Sequence, residues 1–435
     1  MKKSSLVLAA PLVLGALTLS ACSAGQSNAS ESSATQQSSA TSSCRVMDSS
    51  LDWFGDNLTR IDEMIAELGE CGGSGEYADG APVAFFDWDN TVVKNDIGDA
   101  QTFWMLANGK VRQPADRDWR TVSPWITDEA ARVLSGACDA LAEPGEPMDT
   151  ASQDGAGCAD EILSVYSEGV TTTGEEAFTG FNARRIEPQY AFAAQLLAGW
   201  TTEEVKEFAT SAREQNLDAA EGATQVVGTT EVTGWVRYYD QVVDLIETLR
   251  ANGFDVRIIS ASAEPVAEVW GEALGFGAGK VMGVVTSSAD SEKLTTTLAS
   301  CGGDEASMPY IEGKRCRVNE EVFGIDSSEA FEVADEPARA AFAAGDSDTD
   351  VSFMSDATGL RLAINRNKTE LMCQAYFNAD GKWIVNPMFI DPKGQQAEPY
   401  PCSTQGMILP DGGTGPLTGE DGQAVPDQED TVFAG

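Results

Sequence analysis

The sequence has no histidine among its 435 residues and few basic residues. Without histidine, Ser-His-Asp and Cys-His catalytic arrangements and histidine-ligated zinc sites are excluded. The sequence contains 28 lysines and arginines but 69 aspartates and glutamates, so its formal net charge is −41. A field of this sign repels polyanions, so we exclude DNA and RNA as partners. The length suffices for one large domain or two ordinary ones.

The N-terminus lacks an apolar run long enough to span a bilayer. The run at 6–19 follows two lysines and has the pattern of a secretory signal. It ends in Leu-Ser-Ala-Cys at 19–22, which resembles the bacterial lipobox. The resemblance implies a lipid on Cys22 and a membrane-attached protein on the extracytoplasmic face of a bacterial cell envelope. An ordinary signal peptide with a chance cysteine is the alternative.

The cysteines show no CxxC spacing, which argues against a thiolate metal cluster. Eight remain besides Cys22, an even number that suits disulfides in an oxidising compartment. We predict that sequential neighbours pair, because each pair brackets a short segment. The expected pairs are Cys44–Cys71, Cys138–Cys158, Cys301–Cys316 and Cys373–Cys402.

Short segments with the apolar character of buried parallel strands recur along the chain, and the one at 83–86 is uninterrupted by polar residues. They lie at 83–86, 254–259, 281–285, 341–344 and 362–364, with helical patterns between them. Strands alternating with helices predict an α/β fold with a Rossmann-like, doubly wound parallel sheet. The segment between the first two runs is too long for one crossover. We therefore predict an inserted, mostly helical cap.

The predicted organisation has six parts. A lipoprotein signal peptide is followed by a flexible tether rich in Ser, Ala and Gln. The core is interrupted by the cap, and the last segment, rich in Gly, Pro and Asp, is expected to be a flexible tail. The predicted ranges are 1–22 for the signal, 23–43 for the tether, 44–96 for the first helix and core strand, 97–235 for the cap, 236–402 for the rest of the core and 403–435 for the tail.

The first candidate motif is Asp87-Trp88-Asp89-Asn90-Thr91, directly after the first apolar run. A carboxylate can attack phosphorus, and the resulting aspartyl-phosphate is hydrolysed by water. A second carboxylate two residues on can protonate the leaving group and later activate water. Loops at strand ends of an α/β fold present both groups to a crevice. Acids with this spacing are also common in solvated turns of so acidic a chain.

Two more candidates could hold a phosphate. Ser260 ends the second apolar run, although a serine often simply ends a strand. Lys314 could neutralise the nucleophile and the transferring phosphoryl group. Lys280 and Lys293 compete for that role, and a surface lysine is the alternative for each.

The fourth motif, Gly-Asp-Ser-Asp-Thr-Asp at 345–350, follows the fourth apolar run. Its carboxylates could complete an oxygen shell for Mg²⁺, a hard cation. An EF-hand calcium loop is the rival interpretation. It requires a glutamate at the twelfth position from Asp346, where this chain has Ala357.

Together the four motifs resemble the signatures of the haloacid dehalogenase superfamily of phosphatases, over about residues 83–386. The resemblance implies that Asp87 is the nucleophile and Asp89 the general acid and base. It also implies that Ser260 and Lys314 bind phosphate. The implied magnesium-binding and supporting groups are Asp87, Asp89 with its backbone carbonyl, Asp346 and Asp350.

Within this superfamily the chain resembles secreted phosphorylcholine phosphatases and phosphoserine phosphatases. In the latter, an acidic residue nine places after the nucleophile contacts the substrate ammonium, and here that position is Asp96. A helix-capping aspartate is the alternative. Arg184 and Arg237 could bind a phosphate or carboxylate from the cap, although such arginines more often pair with surface acids.

These observations favour a Mg²⁺-dependent enzyme that hydrolyses a small phosphate monoester, phosphoserine- or phosphocholine-like, outside the cytoplasmic membrane. The alternative is a solute-binding or adhesion lipoprotein on a degenerate phosphatase fold. Binding proteins of that kind do not need paired aspartates at a strand end.

Overall fold

The computed structural model describes residues 44–70, 80–286, 292–303 and 306–433. Cys22, the tether and Cys71 lie outside the described residues, so the lipidation site and the Cys44–Cys71 pair stay predictions. All described residues belong to one compact unit. Within it, no helix has both the length and the apolar character needed to cross a bilayer.

Twelve helices and twelve strands lie within the part of the chain that the structure describes. The helices are α1 Asn57–Leu68, α2 Ile97–Ala107, α3 Asp128–Cys138, α4 Ala156–Glu168, α5 Pro188–Gln195, α6 Thr202–Asp218, α7 Asp240–Ala251, α8 Glu264–Glu272, α9 Glu312–Glu321, α10 Val351–Asp356, α11 Thr369–Phe377 and α12 Cys402–Gln405. The strands are β1 Val83–Phe86, β2 Val93–Lys94, β3 Thr224–Val227, β4 Thr230–Thr233, β5 Arg237–Tyr238, β6 Asp255–Ala263, β7 Val281–Val284, β8 Phe342–Gly345, β9 Leu360–Asn365, β10 Trp383–Pro387, β11 Met407–Ile408 and β12 Thr414–Gly415.

Six strands form one parallel sheet in the order β10-β9-β8-β1-β6-β7. The order reverses direction at β1, which lies between β8 and β6. In open sheets of this kind, ligands bind outside the carboxyl ends of the strands at the point of reversal. The predicted α/β fold with a Rossmann-like, doubly wound parallel sheet is therefore confirmed.

The sheet is buried on both faces, which explains the apolar runs. Successive side chains of a strand point to opposite faces. Phe86 and Ile258 belong to one hydrophobic cluster, whereas Phe85 and Ile259 belong to a second. The central strand β1 accordingly consists of Val-Ala-Phe-Phe without a polar residue.

A short two-stranded ribbon stands where the chain leaves the sheet and returns. Strand β2 pairs antiparallel with β5, with Val93 opposite Tyr238 and Lys94 opposite Arg237. Between the two strands the chain forms α2 to α6 and the hairpin β3–β4. The predicted cap range of 97–235 falls between the strands of this ribbon.

Three of the predicted disulfides are present. They are Cys138–Cys158, Cys301–Cys316 and Cys373–Cys402. The first joins α3 to α4, and the last joins α11 to α12. Each closes a segment of 15 to 29 residues, as expected from the pairing of sequential neighbours.

The expectation of a loose tail from 403 onward was wrong for the described residues. Leu417, Val425 and Val432 are buried against the core. Asp430 is also buried, and it accepts hydrogen bonds from Asn365 at 3.1 Å and Tyr376 at 2.6 Å. A few isolated apolar residues that meet the core pack the segment in place, although its composition is typical of a linker. The edge strand β10 was also not predicted.

Truncation of Leu417 tests this packing. Leu417→Ala should lower the free energy of unfolding by about 2–5 kcal/mol, because it leaves a cavity beneath the C-terminal segment. Urea denaturation measures the change, with the exposed Gln423→Ala as the control. Equal stability of Leu417→Ala and the wild-type protein would show that the segment does not contribute to the core.

Candidate active site

The first and fourth motifs follow neighbouring strands at the same edge of the sheet. β1 ends at Phe86 and β8 ends at Gly345, and the two strands pair in parallel. The backbone N–H of Asp87 donates to the carbonyl of Ala344 at 2.9 Å, so the pairing extends into the motif. Sheet pairing thus brings together two loops separated by more than 250 residues.

The loop after β1 folds back on itself in a tight turn. The N–H groups of Thr91 and Val92 both donate to the carbonyl of Trp88, at 3.2 and 2.8 Å. Asn90 takes a left-handed conformation with φ of 59°, which asparagine tolerates better than most residues. The turn places the Thr91 hydroxyl where it donates to Asp87 Oδ2 at 3.0 Å. The first motif therefore fixes its own carboxylate.

Lys314 lies between the two motifs and is completely buried. Its ammonium donates to Asp87 Oδ1 and to Asp350 Oδ1, both at 2.6 Å. Burial acts to lower the pKa of Lys314, but the carboxylates of Asp350 and Asp87 outweigh it and raise the pKa above its ordinary value. Lys314 therefore stays charged and binds both carboxylates.

The backbone bends sharply at the start of α9, and this bend places Lys314 between the first and fourth motifs. Ile311 has a φ of 45°, and its N–H donates to the carbonyl of Thr349 at 2.9 Å in the fourth motif. Gly313 passes so close to Met308 that a Cβ would lie 1.8 Å from the Met308 carbonyl oxygen. The glycine before Lys314 is thus required by the backbone.

The two lysines that competed in the sequence lie elsewhere. Lys280 pairs with Asp255 at 2.6 Å, at the amino end of β6 and thus at the opposite edge of the sheet. Lys293 forms a backbone bridge with Thr201. The structure therefore brings only Lys314 of the three to the motif aspartates.

Asp346 and Asp350 of the fourth motif have different partners. Asp350 Oδ2 accepts from the N–H groups of Asp346 and Ser347 at 3.0 and 3.1 Å, so Asp350 organises the loop. Asp346 accepts from the Thr91 hydroxyl at 3.3 Å through Oδ1 and forms an ion pair with Arg366 through Oδ2. Burial raises the pKa of Asp346, and the Arg366 guanidinium opposes this effect.

Asp89 is held from two sides. Its Oδ1 accepts from the N–H of Ile97 at the start of α2, at 2.7 Å, and its Oδ2 accepts from the Ser262 hydroxyl at 3.0 Å. Burial raises the pKa of Asp89 well above its usual range, and the carboxylates of Asp96 and Asp87 add to this effect. Burial also raises the pKa of Asp87 to about 6, against the lowering effect of Lys314.

The donor set suits a hard divalent cation. Oxygens of Asp87, Asp346 and Asp350 lie within 4.8 Å of one another, and all three residues are buried. Ionised, these three and Asp89 carry four negative charges, and within the described chain the ion pairs to them come from Lys314 and Arg366. Carboxylate oxygens are the ligands that Mg²⁺ prefers, and one such ion would balance the remaining charge.

A cavity opens directly onto these groups. Its walls include Asp87, which is 5% exposed, together with Asp89 and Asp346. Residues of the insert cover the other side, mainly from α2, α4 and α5. The lining residues on that side are Asp96, Gly98, Gln101, Thr102, Tyr166, Tyr190, Ala193, Ala194 and Leu197. The Asp87 carboxylate therefore stands at the wall of this cavity.

Asp96 is both a helix cap and a residue of the cavity wall. It is the N-cap of α2, where its side chain accepts from the N–H of Asp99 at 3.0 Å. It also lines the cavity, and no salt bridge to it is present among the described residues. Burial raises the pKa of Asp96.

Arg184 and Arg237 do not line the cavity, so their predicted contact with substrate was wrong. Arg184 is buried between Glu312 at 3.0 Å and Glu370 at 3.1 Å and also donates to a backbone carbonyl. Arg237 donates to three backbone carbonyls around the end of α6 and the ribbon. Both guanidinium groups stabilise the fold, and nothing in the local sequence around Arg184 reveals its partners more than 100 residues away.

Ser260 is fully buried and does not line the cavity either. Its hydroxyl oxygen accepts from the N–H of Ser262 at 3.1 Å. β6 continues beyond Ser260 to Ala263, so the serine that reaches the cavity is Ser262. The structure therefore places Ser262, and not the predicted Ser260, at the cavity wall.

Sequence reasoning assigned no role to Arg366, which lines the cavity beside Asp346. It follows β9, the strand next to β8, so its position after a predicted strand was an available signal. Tyr166 and Tyr190 also line the cavity, and the Tyr166 hydroxyl donates to Asp99 at 2.7 Å. Their positions on α4 and α5 depend on how the insert folds, which local patterns do not reveal.

No protein-family model and no curated protein matches this sequence. Among solved structures, a conserved protein of unknown function from Anaerococcus prevotii is 18% identical over 78% of this chain and 93% of its own, with a TM-score of 0.56. A substrate-bound phosphoserine phosphatase complex is 14% identical over 65% of this chain and 86% of its own, with a TM-score of 0.28. A haloacid dehalogenase family hydrolase from Salmonella enterica serovar Typhi is 10% identical over 66% of this chain and 65% of its own, with a TM-score of 0.31. The first likeness shows the fold alone.

Removal of Lys314 should destabilise the fold strongly. Lys314→Met leaves Asp87 and Asp350 buried without their cation, and we expect a loss of about 3–5 kcal/mol in the free energy of unfolding. Adding Asp350→Asn should recover part of this loss, because one buried charge is removed. Denaturant titration of the single and double variants measures the coupling.

Lys280→Met is the matched control for Lys314→Met. It should cost at most about 1 kcal/mol, because Lys280 is partly exposed and Asp255 keeps its pair with Arg257. Similar losses for the two lysine variants would contradict the central place given to Lys314.

Proposed function

We propose that the protein is a Mg²⁺-dependent phosphomonoesterase that hydrolyses a small phosphate monoester through an aspartyl-phosphate on Asp87. The observation that carries this proposal is the position of Asp87. Its carboxylate faces a cavity, and its two oxygens are fixed by Lys314 and Thr91. A carboxylate held in a set orientation at a cavity wall is what nucleophilic attack requires.

The first half of the reaction transfers the phosphoryl group to the protein. An oxygen of Asp87 attacks phosphorus, and a new P–O bond forms while the bond to the leaving alcohol breaks. Asp89, held by Ile97 and Ser262, gives its proton to the departing alkoxide oxygen. Arg366 and the Ser262 hydroxyl line the cavity beside these groups and can bind the phosphoryl oxygens.

The second half releases phosphate. Asp89, now ionised, takes a proton from a water molecule that attacks phosphorus, and the P–O bond to Asp87 breaks. Mg²⁺, when bound by Asp87, Asp346 and the loop that Asp350 organises, supplies positive charge that offsets the repulsion between a carboxylate and a phosphate. Lys314 holds Asp87 in place through both halves.

The cavity favours an ester whose alcohol carries a positive charge. Asp96 faces the cavity and lacks an ion-pair partner within the described residues, so it can bind an ammonium group. The alcohol is proposed to be phosphoserine- or phosphocholine-like. Attachment to the extracytoplasmic face of the membrane through a lipid on Cys22 is proposed from the lipobox-like sequence.

Replacement of the nucleophile tests the reaction. Asp87→Asn should reduce kcat on para-nitrophenyl phosphate by at least about 10³-fold, because an amide cannot form the phosphoryl ester. Its melting temperature should stay close to that of the wild-type protein, since Lys314 keeps Asp350. EDTA should abolish wild-type turnover and added Mg²⁺ should restore it. Turnover by Asp87→Asn above a few per cent of wild type would exclude Asp87 as the nucleophile.

Replacement of Asp96 tests the charge preference. Asp96→Asn keeps the N-cap hydrogen bond of α2 but removes the negative charge. We expect kcat/KM for phosphocholine and phosphoserine to fall about tenfold or more. The kcat/KM for glycerol phosphate, whose alcohol part is uncharged, should fall much less. Steady-state kinetics on the three esters measures this. Equal losses on all of them would show that Asp96 does not recognise a cation.

A further inference from the structure

One polar side chain in the cavity has no hydrogen-bond partner among the residues that the structure describes. Gln101 on α2 is 3% exposed and lines the cavity together with Asp87 and Asp96. Neither its amide nitrogen nor its amide oxygen has a hydrogen-bond partner among the described residues. Buried amides are almost always paired because an unpaired one is costly. Gln101 is therefore suited to a partner that enters the cavity.

The position of Gln101 on α2 indicates which part of a substrate it would meet. Gly98, Gln101 and Thr102 all line the cavity and share one face of the helix, being three and four residues apart. A Cβ at Gly98 would lie 3.0 Å from the Ser262 hydroxyl, which in turn binds Asp89. Gln101 lies one helical turn beyond Gly98, or roughly 5 Å further along the axis of α2. An ester with its phosphorus at Asp87 and its leaving oxygen at Asp89 would extend its alcohol part toward this side of the cavity.

Part of the cavity wall is apolar. Ala193 and Ala194 of α5, Leu197 just beyond its end and Val266 of α8 contribute this apolar surface. A glutamine amide offers two donors and an acceptor. An alcohol that carries only methyl groups at its far end would leave these atoms unpaired, whereas a hydroxyl, a primary ammonium or a carboxylate would pair with them.

We propose that Gln101 is a specificity-determining residue that hydrogen-bonds the alcohol part of the ester. The preferred substrate then carries a primary ammonium, hydroxyl or carboxylate group and not a quaternary ammonium. This proposal rests on the proposed phosphatase function of the same cavity and chooses between its two candidate substrates. Asp96 attracts the positive charge, and Gln101 distinguishes an ammonium with N–H groups from one that has none.

Phosphoethanolamine and phosphocholine make the sharpest pair of probes, because they differ only in the methyl groups on nitrogen. The wild-type kcat/KM should favour phosphoethanolamine by about tenfold or more, since a site built to form hydrogen bonds rejects analogues that lack them. Gln101→Met keeps the size and removes the amide. It should lower kcat/KM for phosphoethanolamine about tenfold and that for phosphocholine less than about twofold.

Gln113→Met is the matched control. Gln113 is also a buried glutamine with an unpaired amide oxygen, but it does not line this cavity. Its amide nitrogen donates to Asp139 at 3.2 Å, so the melting temperature of Gln113→Met should fall. Its ratio of kcat/KM for phosphoethanolamine to kcat/KM for phosphocholine should equal that of the wild type. Gln101→Met should show the opposite result. Its melting temperature should not change, because no hydrogen bond within the described residues is broken. Its kcat/KM values for phosphoethanolamine and phosphocholine should become similar.

Gln101→Glu provides a second test should Gln101→Met fold poorly. It keeps the size but adds a negative charge, so kcat/KM for phosphoserine, with its carboxylate, should fall at least about tenfold relative to phosphoethanolamine. An unchanged ratio for this variant would overturn the role of Gln101.

Turnover of para-nitrophenyl phosphate by the wild-type protein separates the two levels of the proposal. If it is absent with Mg²⁺ present, the phosphatase function itself fails. If it is present, the inference on Gln101 is overturned by any of three results. The first is a wild-type kcat/KM that is equal for phosphoethanolamine and phosphocholine, or higher for phosphocholine. The second is the same ratio of these two kcat/KM values in the wild type and in Gln101→Met. The third is no hydrolysis of either ester.

Discussion

The buried ammonium of Lys314 between Asp87 and Asp350 is the interaction on which the rest of the site depends. Two carboxylates at the carboxyl ends of adjacent parallel strands would repel each other in a medium of low dielectric constant. A fully buried lysine that bonds both at 2.6 Å removes this repulsion. The same contact fixes the orientation of Asp87 and ties the fourth motif, through Asp350, to the first.

The geometry of the sheet allows Lys314 to contact Asp87 and Asp350, and the insert forms the other wall of the cavity. β1 and β8 lie side by side at the point where strand order reverses, so their loops must meet. The short ribbon β2–β5 marks where the insert begins and ends. The insert then covers the exposed side of Asp87 with α2, α4 and α5. Core residues thus supply the chemistry, and insert residues shape the space that an ester would occupy.

The strongly negative charge of the chain gives its few basic residues particular weight. Lys314 and Arg366 stand among carboxylates at the site, and Arg184 joins Glu312 and Glu370 in the interior. The proposed anionic ester would meet a chain with a net charge of −41, so its binding would depend on local positive charge. This charge distribution supports the proposed divalent cation at the aspartates and the proposed positive group on the ester.

The parts of the site that could be predicted from sequence are those that follow a buried strand directly. Asp87 and Asp346 stand right after apolar runs, and the chain order of these runs placed them at one edge. Ser262 was missed in favour of Ser260 because the strand runs three residues beyond Ser260, and no local pattern marks where a strand leaves the sheet.

Features that depend on distant packing were not predictable in the same way. Arg184 pairs with Glu370, which lies 186 residues further along the chain. The C-terminal segment packs on the core through single residues such as Leu417. Gln101 shows no signal at all in sequence, since its importance lies in the partners it lacks within the described protein.

Chemical trapping of the phosphorylated residue tests the central claim most directly. The wild-type protein is quenched during turnover, the acyl phosphate is reduced with borohydride, and the modified residue is located by peptide mass spectrometry. We predict homoserine at position 87 and nowhere else. Modification at Asp89 or Asp346, or continued turnover with no modified aspartate, would contradict the proposed role of Asp87 as the nucleophile.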